Sequence, residues 1–189
     1  LYRLPLRRIS VYRIDDRYLA ERNLPGSKTL AGRKVGLVGC GTIGGYLAEM
    51  LAKAGAGTAG GMLTLVDMGS LEPGNLGRHR LGFNALGKKK AEAMCDELRR
   101  VAPGINAGAV AGDVKAANLG PLELLIDATG AQGLTDWLTW KYADKVPFLS
   151  AWVEGSGSAV RALLKARSEQ ACARCVSQPP LKDQYRVFD

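Results

Sequence analysis

The sequence predicts an α/β domain built on a doubly wound, mostly parallel sheet, and three observations carry that reading. A β-branched run at residues 34–39 stops in glycine and is followed at once by a leucine- and alanine-rich stretch at 43–54. A second strand-like run at 62–66 leads into Asp67. Apolar runs and helix-forming stretches then alternate as far as residue 164. Such alternation places helices over a parallel sheet and ligands beyond the C-terminal strand ends.

Each element has a local reason. Residues 15–22 form a short helix, and 23–28 (NLPGSK) read as a turn or linker by their Pro and Gly. Residues 34–39, 43–54 and 62–66 make a strand, a tight turn, a helix and a second strand, the βαβ unit. Over 88–102, Ala91, Met94, Cys95, Leu98, Val101 and Ala102 recur at steps of three and four, one apolar stripe stopped by Pro103 and Gly104. Strands are expected at 107–114, 122–127, 148–153 and 158–164, with a helix at 134–144. Residues 1–28 thus stand as an extension ahead of a domain over 29–189.

Composition narrows the classes. At 189 residues the chain is one domain by size, and 47% hydrophobic with 23% charged residues gives it a core. The longest stretch free of charge, residues 35–48, is short of the roughly 18–20 residues of a membrane span. The opening LYRLPLRRIS carries arginines where a signal peptide would be uninterrupted and apolar, so the chain reads as part of a longer, cytoplasmic protein. The net charge of +8 favours anionic partners, and its excess is partly local, at Arg3, Arg7, Arg8, Arg13 and the run Lys88, Lys89, Lys90. Aromatics, at 6%, are not interleaved with these clusters, which argues against a nucleic-acid partner. Four cysteines without an export signal read as thiols or metal ligands rather than a disulfide frame.

Gly39-Cys40-Gly41-Thr42-Ile43-Gly44 matches G-x-G-x-x-G between strand and helix, the context of a Rossmann-type phosphate loop. Gly39 permits the turn, Gly41 lets backbone approach a phosphate, Gly44 lets helix and strand pack, and the helix N-terminus offers unpaired N–H groups. Asp67 is placed for the hydroxyls of a ribose, 28 residues after Gly39 against roughly 20 for the usual fingerprint. The glycine-rich stretch 55–61 takes up the difference. These features suit NAD and ATP equally. Asn75, Arg78 and Lys90 tilt the choice, because two cations and an amide beside the loop would neutralise a triphosphate and the charge developing on departing pyrophosphate.

On LAGRKVGLVGCGTIGG, LVDMGSLEPGNLGRHRLGFNALGKKKAEAM, LLIDATG and ACARCVSQPP, the sequence resembles the ThiF/MoeB/HesA superfamily, the adenylation fold of ubiquitin-activating enzymes and their bacterial relatives. The resemblance spans residues 17–180. It implies binding of ATP and magnesium, and adenylation of the C-terminal glycine carboxylate of a ubiquitin-like protein or peptide. It further implies Asp67 as the ribose aspartate, Asn75 and Arg78 as the polar and cationic pair of an NLxRQ motif, Lys90 as the phosphate lysine, and a homodimer. An arginine from the segment before the first strand would reach the partner subunit's site, with Arg17 and Arg22 as candidates. Arg78 and Lys90 would then be the catalytic cations, with no general base needed for a nucleophile that is already ionised.

The departures from the family pattern are specific. His79 replaces the usual glutamine, and Gly130 stands where many relatives carry a magnesium-holding aspartate three residues after the strand-end aspartate. Either Asp127 substitutes for that carboxylate through water, or the domain is a catalytically impaired docking and dimerisation module. An NAD(P)-binding oxidoreductase is the other alternative. Cys172 and Cys175 resemble the first half of the family's structural zinc site, whose second pair would lie beyond Asp189; either the chain is cut short before that pair or the two are free thiols. Cys40 and Cys95 read as packing residues.

Overall fold

The computed structural model describes residues 7–155 and 157–176; Arg3 and the residues after Val176, on which part of the resemblance rests, lie outside them. Six strands form one sheet in the order β3-β2-β1-β4-β5-β6. In chain order the elements are α1 (Asp16–Asn23), β1 (Lys34–Val38), α2 (Thr42–Lys53), β2 (Met62–Val66), α3 (Lys90–Val101), β3 (Ala107–Val110), β4 (Leu124–Asp127), α4 (Gln132–Tyr142), β5 (Phe148–Glu154), β6 (Ala159–Lys165) and α5 (Ala173–Val176). Every neighbouring pair is parallel except β5–β6, an antiparallel hairpin. The expected doubly wound, mostly parallel sheet is what is found.

Alternation along the strands assigns the two faces of the sheet. Val35, Leu37, Leu63 and Leu65 pack with Ala48 and Leu51 of α2 and Met94 and Leu98 of α3. Val38, Val66, Leu125 and Phe148 pack instead with Leu138 of α4 and with Val114 and Leu119. Helices change sides between β1 and β4, which opens a crevice at the carboxyl ends of these strands.

Several boundaries differ from expectation, each for a local reason. β3 ends at Val110 rather than 114, because Asp113 opens a turn in which its carboxylate accepts from Lys115 N–H (2.9 Å). α3 begins at Lys90 rather than 88, since Lys88 C=O accepts from Leu71 N–H and Lys89 bridges Ser70 in antiparallel fashion. Asp15 lies outside α1 as its N-cap, accepting from Tyr18 N–H (3.1 Å). No helix covers the β3–β4 connection, and a groove of about 450 Å³ lies there against the N-terminal ends of β1 and β2. Among the described residues no helix is long and apolar enough to cross a membrane.

Candidate functional site

The loop between β1 and α2 is fixed by two of its three glycines. Gly39 has φ +91°, a conformation glycine adopts without strain, and a Cβ there would lie 2.9 Å from the backbone of Ala128 and Thr129. A Cβ on Gly44 would lie 1.8 Å from the Gly39 carbonyl oxygen. Gly41 is different: it caps α2 at φ −75°, and a Cβ there would meet nothing within 4 Å. Its open side is room for a ligand to meet backbone.

Asp67 leaves β2 half-buried at the rim of this loop. Its Oδ2 accepts from Cys40 N–H and its Oδ1 from Gly69 N–H, both at 2.7 Å. The ammonium of Lys90, the first residue of α3, borders this turn, with Nζ 3.7 Å from where a Gly69 Cβ would stand. A cavity of about 200 Å³ opens here, lined among others by Gly39, Asp67, Met68, Asp113, Thr129 and Leu134.

The segment after β2 is folded back onto the loop. Asn75 Oδ1 accepts from Glu72 N–H (3.1 Å) in a capping box, and Arg78, exposed, donates from Nη1 to Gly74 C=O (3.1 Å). His79 is 7% exposed. Leu81 N–H donates to its Nδ1 (3.0 Å), so the ring proton sits on Nε2, which donates to Cys40 C=O (2.7 Å). Burial pushes this imidazole below its ordinary pKa, and Lys90 and Arg78 push the same way. With both nitrogens engaged, His79 holds structure rather than carrying protons. Arg80, which sequence reasoning missed, pairs with Glu49 of α2 and Glu97 of α3 (3.1 Å), tying both helices to this segment. No sequence spacing signals that link.

Asp127 does not match its expected role as a magnesium ligand. It is 1% exposed, and its two oxygens accept from Thr129 N–H (3.0 Å), the Thr129 hydroxyl (2.7 Å) and the Thr135 hydroxyl. Gly130 lies at φ +65°, facing open space. Among the described residues no three His, Cys, Asp or Glu side chains gather as a metal site. The Asp127 oxygens are thus engaged within the fold.

Cys172 and Cys175 stand with their sulfurs 3.4 Å apart, near the roughly 3.8 Å expected of two thiolates on one tetrahedral zinc. Hydrogen bonds from the Cys172 backbone and thiol hold Cys175 below the ordinary thiol pKa. The pair has the spacing that half of such a site would have, and among the described residues no further His, Cys, Asp or Glu gathers with it as a metal site. Cys40 and Cys95 are buried in the core, as expected of packing residues; burial pushes both thiols up, Cys95 to about 11. Arg17 pairs with Glu21 on its own helix (2.8 Å), and Arg22 is exposed. α1 packs through Ala20 on Gly55, beyond the C-terminal end of α2. A 12-residue helix, about 18 Å, separates that contact from the glycine loop.

The sheet order, the glycine turn at its switch point and the strand-end aspartate define a Rossmann-type α/β domain. Residues 16–188 match the model of the ThiF family, and the chain belongs to that family. Over 185 residues it is 57% identical to the ATP-dependent ubiquitin transferase-like protein Cap2 of Pseudomonas aeruginosa, covering 98% of this chain and 34% of that protein. Against the molybdopterin-synthase adenylyltransferase of Escherichia coli it is 30% identical, covering 81% of this chain and 62% of the enzyme. Among solved structures, Escherichia coli MccB with ATP has the same fold, with a TM-score of 0.65 at 21% identity, over 88% of this chain and 48% of MccB. The chain spans about a third of the length of the Cap2 relatives it matches.

Proposed function

We propose that this domain binds ATP at the strand ends and adenylates the C-terminal glycine carboxylate of a ubiquitin-like protein or peptide, within a longer cytoplasmic protein. One observation carries the reading: Gly39 of the glycine turn and Asp67 line one cavity at the strand ends, with Lys90 bordering the turn that Asp67 makes with Gly69. A carboxylate offers about four lone-pair sites, and Asp67 uses two on backbone amides, so two remain for ribose hydroxyls. Gly41 and the first turn of α2 supply N–H donors to phosphate. Lys90 and Arg78 neutralise charge as pyrophosphate leaves, and Asn75 orders the turn that carries Arg78. The substrate carboxylate attacks the α-phosphate in line, which needs positioning rather than a base. Magnesium arrives with the nucleotide, and no step is assigned to a protein-held ion.

The relatives support this reading in their own names: Cap2 as an ATP-dependent ubiquitin transferase-like protein and the molybdopterin-synthase enzyme as an adenylyltransferase. A homodimer is part of the proposal, because Arg17 and Arg22 sit too far from their own loop and suit a partner's. Cys172 and Cys175 serve as two ligands of a structural zinc completed from later sequence.

ATP–pyrophosphate exchange with glycine-terminated ubiquitin-like partners, run on the full-length protein, tests the reading. Arg78→Ala and Lys90→Ala should lower exchange by roughly 100–1,000-fold while weakening ATP binding far less. The buried Asp127 and the absent carboxylate at Gly130 favour a second reading, a nucleotide-binding docking module. ATP binding without exchange, in both wild type and Gly130→Asp, would establish that one. Binding of NAD in place of ATP would return the domain to the oxidoreductases.

A further inference from the structure

We propose that His79 is a positioning residue whose imidazole turns the Cys40–Gly41 peptide so that the Gly41 N–H faces the incoming phosphate. This rests on the ATP-binding reading above. The Cys40 backbone is held on both sides: its N–H donates to Asp67 Oδ2 and its carbonyl accepts from His79 Nε2, each at 2.7 Å. No peptide bond described is cis, and in a trans peptide the C=O and the following N–H point in opposite directions. Drawing the Cys40 carbonyl toward His79 therefore directs the Gly41 N–H away from it. Among the described residues nothing accepts from that N–H, and space on this glycine is open.

The ring cannot swing. Leu81 N–H fixes Nδ1, and Gly45 of α2 lies so close that a Cβ there would be 3.6 Å from His79 Cε1. The next residue, Arg80, is clamped to Glu49 and Glu97. One short segment thereby couples α2, α3 and the direction of a loop amide.

The test compares His79→Phe, which fills the space without a donor, with His79→Gln, whose amide can donate to Cys40 C=O and accept from Leu81 N–H. Affinities for ATP and for adenosine are measured on the full-length protein. The expected result is an ATP Kd raised about tenfold in His79→Phe, adenosine affinity unchanged, and ATP affinity restored in His79→Gln. A folded His79→Phe that binds ATP as wild type does, or that loses ATP and adenosine alike, would overturn the proposal. Should His79→Phe not fold, Gly41→Pro interrogates the same amide, since φ −75° suits the proline ring, which removes the N–H donor and fills the open side of this residue. It should lose ATP tenfold and keep adenosine; unchanged ATP affinity would overturn the assignment. A wild type that binds neither compound would take down the ATP-binding reading itself.

Discussion

An aspartate stands at the C-terminal end of β2 and another at that of β4, and the two are held in opposite ways. Asp67 is half-buried, lines the cavity and takes two backbone N–H groups, from Cys40 and Gly69. Asp127 is 1% exposed, is not part of the lining of that cavity, and is closed in by two hydroxyls and one N–H. Backbone donors at a rim leave lone pairs for a ligand. Threonine hydroxyls from the following turn and helix seal a carboxylate into the fold. Equivalent positions in a doubly wound sheet thus diverge through their donors, one open to the cavity and one sealed into the fold.

The largest effect is expected at the sealed end. Asp127→Ala strands the Thr129 amide and two hydroxyls in a buried site, and urea denaturation should show a loss of about 3 kcal/mol. A loss under about 1 kcal/mol would erase the contrast. Asp67→Ala should instead weaken ATP binding by about 1.5–3 kcal/mol in calorimetry, with a smaller cost in stability. Equal destabilisation by the two substitutions would break the comparison from the other side. Thr135→Val removes one donor from Asp127 and should cost about 1.5 kcal/mol while leaving ATP affinity alone.

The smallest effect depends on pH. His79 is driven toward its neutral form by burial first, with Lys90 and Arg78 adding to that and Asp67 opposing. Its folded pKa lies below its unfolded one, so the unfolded chain binds more protons as pH falls below about 6.5, and folding stability drops there. Relative to His79→Gln, wild type should lose under about 1 kcal/mol at pH 6, and no more than about 1.4 kcal/mol per further pH unit. No difference between the two at pH 5 would mean that the ring is not held neutral.

What the sequence disclosed and what it hid follow the range of the interactions. Gly39 and Gly44 were legible because local sterics require them, and Asp67 because it ends a recognisable strand. The apolar run 107–114 hid the end of β3, since the turn made by Asp113 depends on its own side chain rather than on periodicity. Arg80 and Glu49 are 31 residues apart, and His79 and Cys40 are 39 apart. No helical or strand period relates such positions; only the packed α2–α3 pair brings them together. Asp127 was legible as a strand-end carboxylate but not as a buried one, because two of its donors come from the adjacent Thr129 turn and the third, Thr135, reaches it only once α4 packs beside β4.

The strand order also governs how the chain assembles during synthesis. β1 is the first strand made and sits between β2 and β4, so one of its edges finds its partner early while the other waits for residues some 90 positions later. Loop-closure entropy rises only slowly with length, so the delay is mainly one of translation rather than of free energy. During that interval the open edge of β1 and its Val38, whose partners Leu125 and Leu138 are not yet made, remain available to other chains. A ribosome pause or a stalled truncation between Val66 and Leu124 should therefore yield the most aggregation-prone nascent species of this domain.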